Sequence, residues 1–162
     1  MQIRGEGPGD AAAVRRVNQA AFAGPDEADI VDALRAAGAV TLSLVAEEDG
    51  EIIGHILFSP VTVDRVDASV VGLAPMAVAP SRQRAGVGSA LVHDALDRLA
   101  AAGHAAVVVV GHPAYYPRFG FKPAADFGLR WEQGHDESFF ALELRFGALA
   151  RGGVVRYRPE VA

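Results

Sequence analysis

Residues 83–88 read Gln83-Arg84-Ala85-Gly86-Val87-Gly88, with an apolar stretch before them and an amphipathic one after. Two glycines one residue apart let the backbone approach a ligand closely. Where a helix starts there, its first N–H groups have no intrahelical acceptor and its dipole adds partial positive charge. Such a start suits a phosphate or diphosphate. The same residues also describe a tight turn into a packed helix, and by themselves they do not separate the two readings. Two other phosphate motifs do not fit. A P-loop ends in Gly-Lys-Ser/Thr, whereas Gly88 is followed by Ser89 and Ala90. A dinucleotide fingerprint needs a third glycine where the chain has Leu91. No Gly-x-Ser-x-Gly elbow of a serine hydrolase occurs.

Proton-transfer candidates are few. His55 and His112 fall on or beside strand-like segments, and histidine titrates near neutrality, but an isolated strand histidine equally fills a structural role. Glu47 and Glu48 precede a turn and read as solvated. His93, His104 and His135 show no metal-ligand spacing with one another or with a carboxylate, so no metal is expected.

These groups need a framework, and the hydrophobic pattern supplies one. Ile3 and Arg4 start a short strand that stops at Gly5, Gly7 and Pro8. Asp10 is a natural N-cap for a helix over residues 11–22, with Val14, Val17, Ala21 and Phe22 on one face. Gly24-Pro25-Asp26 breaks it, and a second helix covers residues 27–37, closed by Gly38. A hairpin follows, with strands 40–47 and 51–63 around the turn Asp49-Gly50. Residues 70–78 are apolar throughout, which predicts a central strand, and Pro75 within it should interrupt or bulge the pairing. A helix over residues 86–102 and an apolar strand over 105–110 complete a crossover with parallel strands. Residues 114–119 form a short helical turn, and the remainder, including 129–131 and 139–144, holds one or two more strands. The pattern is that of an α/β fold on a mixed, mostly antiparallel sheet.

Bulk properties narrow the partners. A chain of 162 residues, 51% apolar and 22% charged, supports a single domain with a real core. The net charge of −5 and the scattered arginines argue against a nucleic-acid backbone as partner. No apolar run is long enough to cross a bilayer, and the opening Met-Gln-Ile-Arg-Gly-Glu lacks the features of a signal peptide. With no cysteine there are no disulfides or thiolate metal sites, and a cytoplasmic location is the expectation.

In its placement between a buried strand and a long helix, the segment Gln83, Gly86, Gly88 resembles the acyl-CoA motif of the GNAT N-acetyltransferase superfamily, Gln/Arg-x-x-Gly-x-Gly/Ala. "LAPMAVAP" is similar to that family's fourth strand, and "GHPAYYPRFGF" to its second CoA-proximal motif in the form of the bacterial YhbS-like branch. With the N-terminal helices and the hairpin, the resemblance covers nearly the whole chain. It implies a sheet whose fourth and fifth strands splay, giving Pro75 a meaning, and acetyl-CoA as cosubstrate. The backbone of Met76, Ala77 and Val78 would then bond the pantetheine amides as an added strand, with one N–H polarising the thioester carbonyl. The N–H groups from Arg84 through Ala85, Gly86, Val87 and Gly88 to Ser89 would hold the pyrophosphate.

The resemblance also places Tyr116, four residues before Gly120, as general acid toward the departing thiolate. A phenol is protonated at neutral pH, as this role requires. Tyr115 is off by one. The segment departs from the family in having His112-Pro113 where many members carry an asparagine. The implied reaction moves acetyl to a primary amine of a small molecule or peptide. The competing reading is a non-catalytic acyl-CoA-binding domain. Many members are homodimers through C-terminal strands, which makes Phe139, Phe140 and Tyr157 candidates for an interface or for the core.

Overall fold

The computed structural model describes residues 1–161. In chain order the elements are β1 (Gln2–Gly5), α1 (Ala11–Phe22), α2 (Asp26–Ala36), β2 (Leu42–Glu48), β3 (Glu51–Pro60), β4 (Thr62–Val63) and β5 (Val70–Val78). They continue with α3 (Val87–Ala101), β6 (Ala106–Val110), β7 (Lys122–Pro123), β8 (Leu129–Trp131), β9 (Phe139–Glu143) and β10 (Gly153–Arg156). Two compact units share them. The first comprises Met1–Phe58 and Ala74–Asp97; the second comprises Ser59–Leu73 and the described chain from Arg98 onward.

In the first unit β1, β2 and β3 form an antiparallel run, with Arg4 opposite Val45 and Val45 opposite His55. The turn between β2 and β3 has both Asp49 (φ 53°) and Gly50 (φ 76°) in the left-handed region, the geometry that an Asp-Gly pair favours between twisted strands. The second half of β5 adjoins β3, and just beyond it the Ala79 N–H donates to the Ile53 carbonyl at 2.9 Å. Helices α1 and α2 bury Val14 and Val17, and Ala28, Val31 and Leu34, respectively. Arg15 ties them together through Asp29 (2.9 Å) and Asp32 (2.7 Å).

Two details depart from expectation. Asp10 makes no side-chain cap to α1; its carboxylate accepts the Gly7 N–H at 2.6 Å and pairs with Arg4 at 2.7 Å. The guanidinium, then the amide, hold that carboxyl below the usual range. The inner face of α1 carries the buried Asn18, while Phe22 at its end is 42% exposed.

In the second unit the first four residues of β5 run parallel to β6, from Val70 opposite Ala106 to Leu73 opposite Val109. The ladder stops there, two residues short of Pro75, where the Ala74–Pro75 bond is cis. Beyond β6 come β9, antiparallel, and then β7. The strand expected over residues 51–63 is divided: β3 ends at Pro60, and β4 joins a separate small sheet in the order β4-β10-β8. Phe139 (1% exposed), Phe140 (4%) and Tyr157 (8%) lie in the core, so they are not surface residues available to a second copy.

Candidate active site

The phosphate-type segment belongs to the first unit, and its geometry follows from a few residues. After β5, Pro80–Arg82 form a single 3-10 turn and Gln83 is extended (φ −68°, ψ 150°). Arg84 (φ 63°) and Gly86 (φ 88°) then take left-handed conformations. For Gly86 this costs nothing, and any side chain there would be strained. The first backbone bond of α3 runs from the Ala90 N–H to the Gly86 carbonyl at 3.0 Å. The N–H groups of Val87, Gly88 and Ser89 therefore precede the helix ladder and have no intrahelical acceptor.

Residues 83–86 are exposed, whereas Val87 is buried. Val87 and Leu91 seat the helix start on β3 at Gly54, where an added Cβ would lie 2.9 Å from Val87 Cγ1 and 3.1 Å from Leu91 Cδ1. The Gln83 side chain donates to the Val78 carbonyl at 3.1 Å, bracing the loop against the end of β5. Arg82 pairs with Glu48 at 2.7 Å and ties the same loop to the hairpin. In β5, Ala77 points inward while Met76 and Val78 are half-buried.

Tyr116 belongs to the second unit, where it opens the 3-10 turn Tyr116–Phe119. It is 7% exposed, with ring contacts to Phe121 (5.7 Å between centroids, 72°) and Tyr115 (5.1 Å, 87°). Its ring lies so close to Gly111 that a Cβ there would stand 2.3 Å from the ring edge. Burial, reinforced by Tyr115, pushes the Tyr116 phenol up to about 12. It therefore stays protonated at neutral pH. Tyr115 instead lies under the Arg118 guanidinium, 4.9 Å from its ring centre.

The histidine candidates fare differently. His112 is exposed, and its Nδ1 accepts the Ala114 N–H at 3.1 Å. His55 is wholly buried in the first unit. Asn18 Nδ2, which also donates to the Val14 carbonyl, meets His55 Nδ1 at 3.1 Å, so that nitrogen carries the lone pair. His55 Nε2–H then donates to Ser43 Oγ at 2.9 Å, and Ser43 donates to Glu6 at 2.5 Å, a carboxylate also paired with Arg35. Burial first, then the Arg35 charge, push the imidazole down to about 3. A neutral ring, sealed from water with both nitrogens engaged, is a structural link between α1 and the sheet. Glu47 and Glu48, expected in solvent, are paired with Arg4 and Arg82 at 2.7 Å each. Among the described residues no group of three or more His, Asp or Glu could hold a metal ion.

Asn18 escaped the sequence reading although its signal was present: it falls on the same helical face as Val14 and Ala21. Of the two places open to Tyr157, an interface or the core, it takes the core.

A helix start with amides outside the helix ladder suits a phosphate-bearing ligand, and the comparisons with known proteins identify the family. The chain belongs to the acetyltransferase (GNAT) family, whose sequence model matches residues 12–121. It is 43% identical over 143 residues to the uncharacterized N-acetyltransferase YhbS of Escherichia coli K12, covering 88% of this chain and 86% of that protein. The crystal structure of E. coli YhbS in complex with CoA superposes with a TM-score of 0.95 at 40% identity, covering 98% of this chain and 90% of that one. A GNAT acetyltransferase from Brucella melitensis in complex with acetyl-CoA gives a TM-score of 0.86 at 42% identity, over 99% and 97%. No helix among the described residues is long and apolar enough to cross a membrane.

Proposed function

We propose that this chain transfers an acetyl group from acetyl-CoA directly to a primary amine of a small molecule or peptide, as one catalytic domain over residues 1–162. The observation that carries this reading is the loop from Arg84 to Ser89. Its left-handed residues and helix-start amides suit a diphosphate, and two similar proteins are described in complex with CoA and with acetyl-CoA.

In this reading the amides of residues 84–89 hold the pyrophosphate and the backbone of Met76, Ala77 and Val78 lines the pantetheine arm. Gln83 acts through the loop it braces. The neutral amine attacks the thioester carbonyl, the new C–N bond forms and the C–S bond breaks. Tyr116 gives its proton to the departing sulfur, and the proton lost by the nitrogen passes to solvent. With His55 sealed and neutral, the amine's deprotonation falls to water.

Calorimetry and turnover test it together. Acetyl-CoA should bind the parent and Tyr116→Phe with similar affinity, while Tyr116→Phe loses about a hundredfold or more in kcat across a panel of amines. Gly86→Val, which forces a β-branched residue to positive φ, should weaken acetyl-CoA binding at least about tenfold. Binding without turnover on any amine would favour a non-catalytic acyl-CoA-binding domain; absence of binding would refute both.

A further inference from the structure

Immediately after β10 the chain places Tyr157 in the core of the second unit. Its ring lies flush on β5: a Cβ on Gly72 would stand 2.4 and 2.7 Å from ring atoms and 2.8 Å from Val61. Its hydroxyl donates to the Val108 carbonyl of β6 at 3.2 Å. Gly72 and Val108 are direct partners in the parallel ladder, one pair before its last, Leu73 and Val109. One side chain therefore spans both strands where their pairing ends. Three residues beyond Val108, just past the end of β6, is Gly111, whose N–H is fixed by the Ser138 carbonyl at 2.8 Å and whose bare Cα seats the Tyr116 ring.

We infer that Tyr157 is a positioning residue for acetyl transfer: by locking β5 to β6 at the last pairs of their ladder, it fixes the backbone at Gly111 on which the Tyr116 phenol rests. The inference rests on the reading of Tyr116 as the acid. Burial raises the Tyr157 phenol far above its ordinary range, with the nearby Tyr116 adding to the effect, so its hydroxyl remains a donor to Val108 at any working pH. Gly72 is the complementary requirement, because no other residue leaves room for the ring.

The test is a double-mutant cycle on kcat and on KM for acetyl-CoA, using the full chain. It compares the parent, Tyr157→Phe, Tyr116→Phe and the double variant, each normalised to the acetyl-CoA-binding fraction found by calorimetry. Tyr157→Phe keeps the ring and loses only the bond to Val108. It should lower kcat about tenfold while KM for acetyl-CoA stays within about twofold. In the Tyr116→Phe background the same substitution should change kcat by less than about twofold, because the group it positions is already gone. Gly72→Ala, which displaces the ring from the other side, should show the same dependence on Tyr116. Equal losses in both backgrounds would reduce Tyr157 to a stabilising residue, and an unchanged kcat in Tyr157→Phe would overturn the inference outright. A Tyr116→Phe variant as active as the parent would instead remove the acid reading, and this inference with it.

Discussion

Tyr116 and His55 are both withdrawn from water, and burial drives each toward its neutral form. For Tyr116, held near 12, the phenol stays protonated throughout the working range. The pH–rate profile of kcat should therefore show no descending limb below about pH 10 from this group. An alkaline limb near pH 9 that vanishes in Tyr116→Phe would contradict that. For His55 the folded value near 3 lies below the ordinary 6.5, so below pH 6.5 the unfolded chain takes up a proton that the folded one refuses. Its contribution to stability is intact above about 6.5 and is lost as pH falls toward 3, at roughly 1 kcal/mol per unit. Urea unfolding at pH 5 should show a loss of about 1–2 kcal/mol against pH 7 that His55→Gln largely abolishes. Sequence alone displayed Gly86 and Gln83, because their meaning is local. It did not display the isolation of His55, which depends on Asn18 from α1, Ser43 from β2 and Glu6 from the loop after β1. Nor did it display the turning of Asp10 away from its helix, since Arg4 is a better partner than a cap amide.

Among the elements, the seating of α3 on β3 decides where the helix-start amides lie. Gly54 gives Val87 and Leu91 their space, so Gly54→Val must push the first turn of α3 outward. The expected result is a loss of about 1–3 kcal/mol in stability from overpacking. Calorimetry should show acetyl-CoA affinity falling at least about tenfold, with less effect from Gly54→Ala. Element boundaries were legible where punctuation is local. The limits of β5 and α1, the Asp49-Gly50 turn and the interruption near Pro75 all follow from residue types at those positions. The division of the long returning strand into β3 and β4 was not legible, because it depends on β10. That strand begins at Gly153 (φ 131°), beside the Asp64 carboxylate, and its pairing with β4 joins residues some ninety positions apart.

For the whole molecule, the sequence motifs in order led to the family that the comparison with known sequences supports, while the acceptor depends on surfaces that no motif encodes. Binding should be visible globally: at a hundred times its Kd, CoA adds about 2.7 kcal/mol to the folded state. Thermal melting should then rise by about 5–10 °C, and an unmoved transition would argue against the site. Each compact unit is assembled from two separated stretches of chain, and this has a consequence for synthesis on the ribosome. The first unit has all its parts once Asp97 has left the exit tunnel. Residues 59–73 emerge earlier but wait for partners that include β10, and Tyr157 is translated only after that strand. Their exposed valines are then the stretch for which a nascent chain most needs a chaperone's cover.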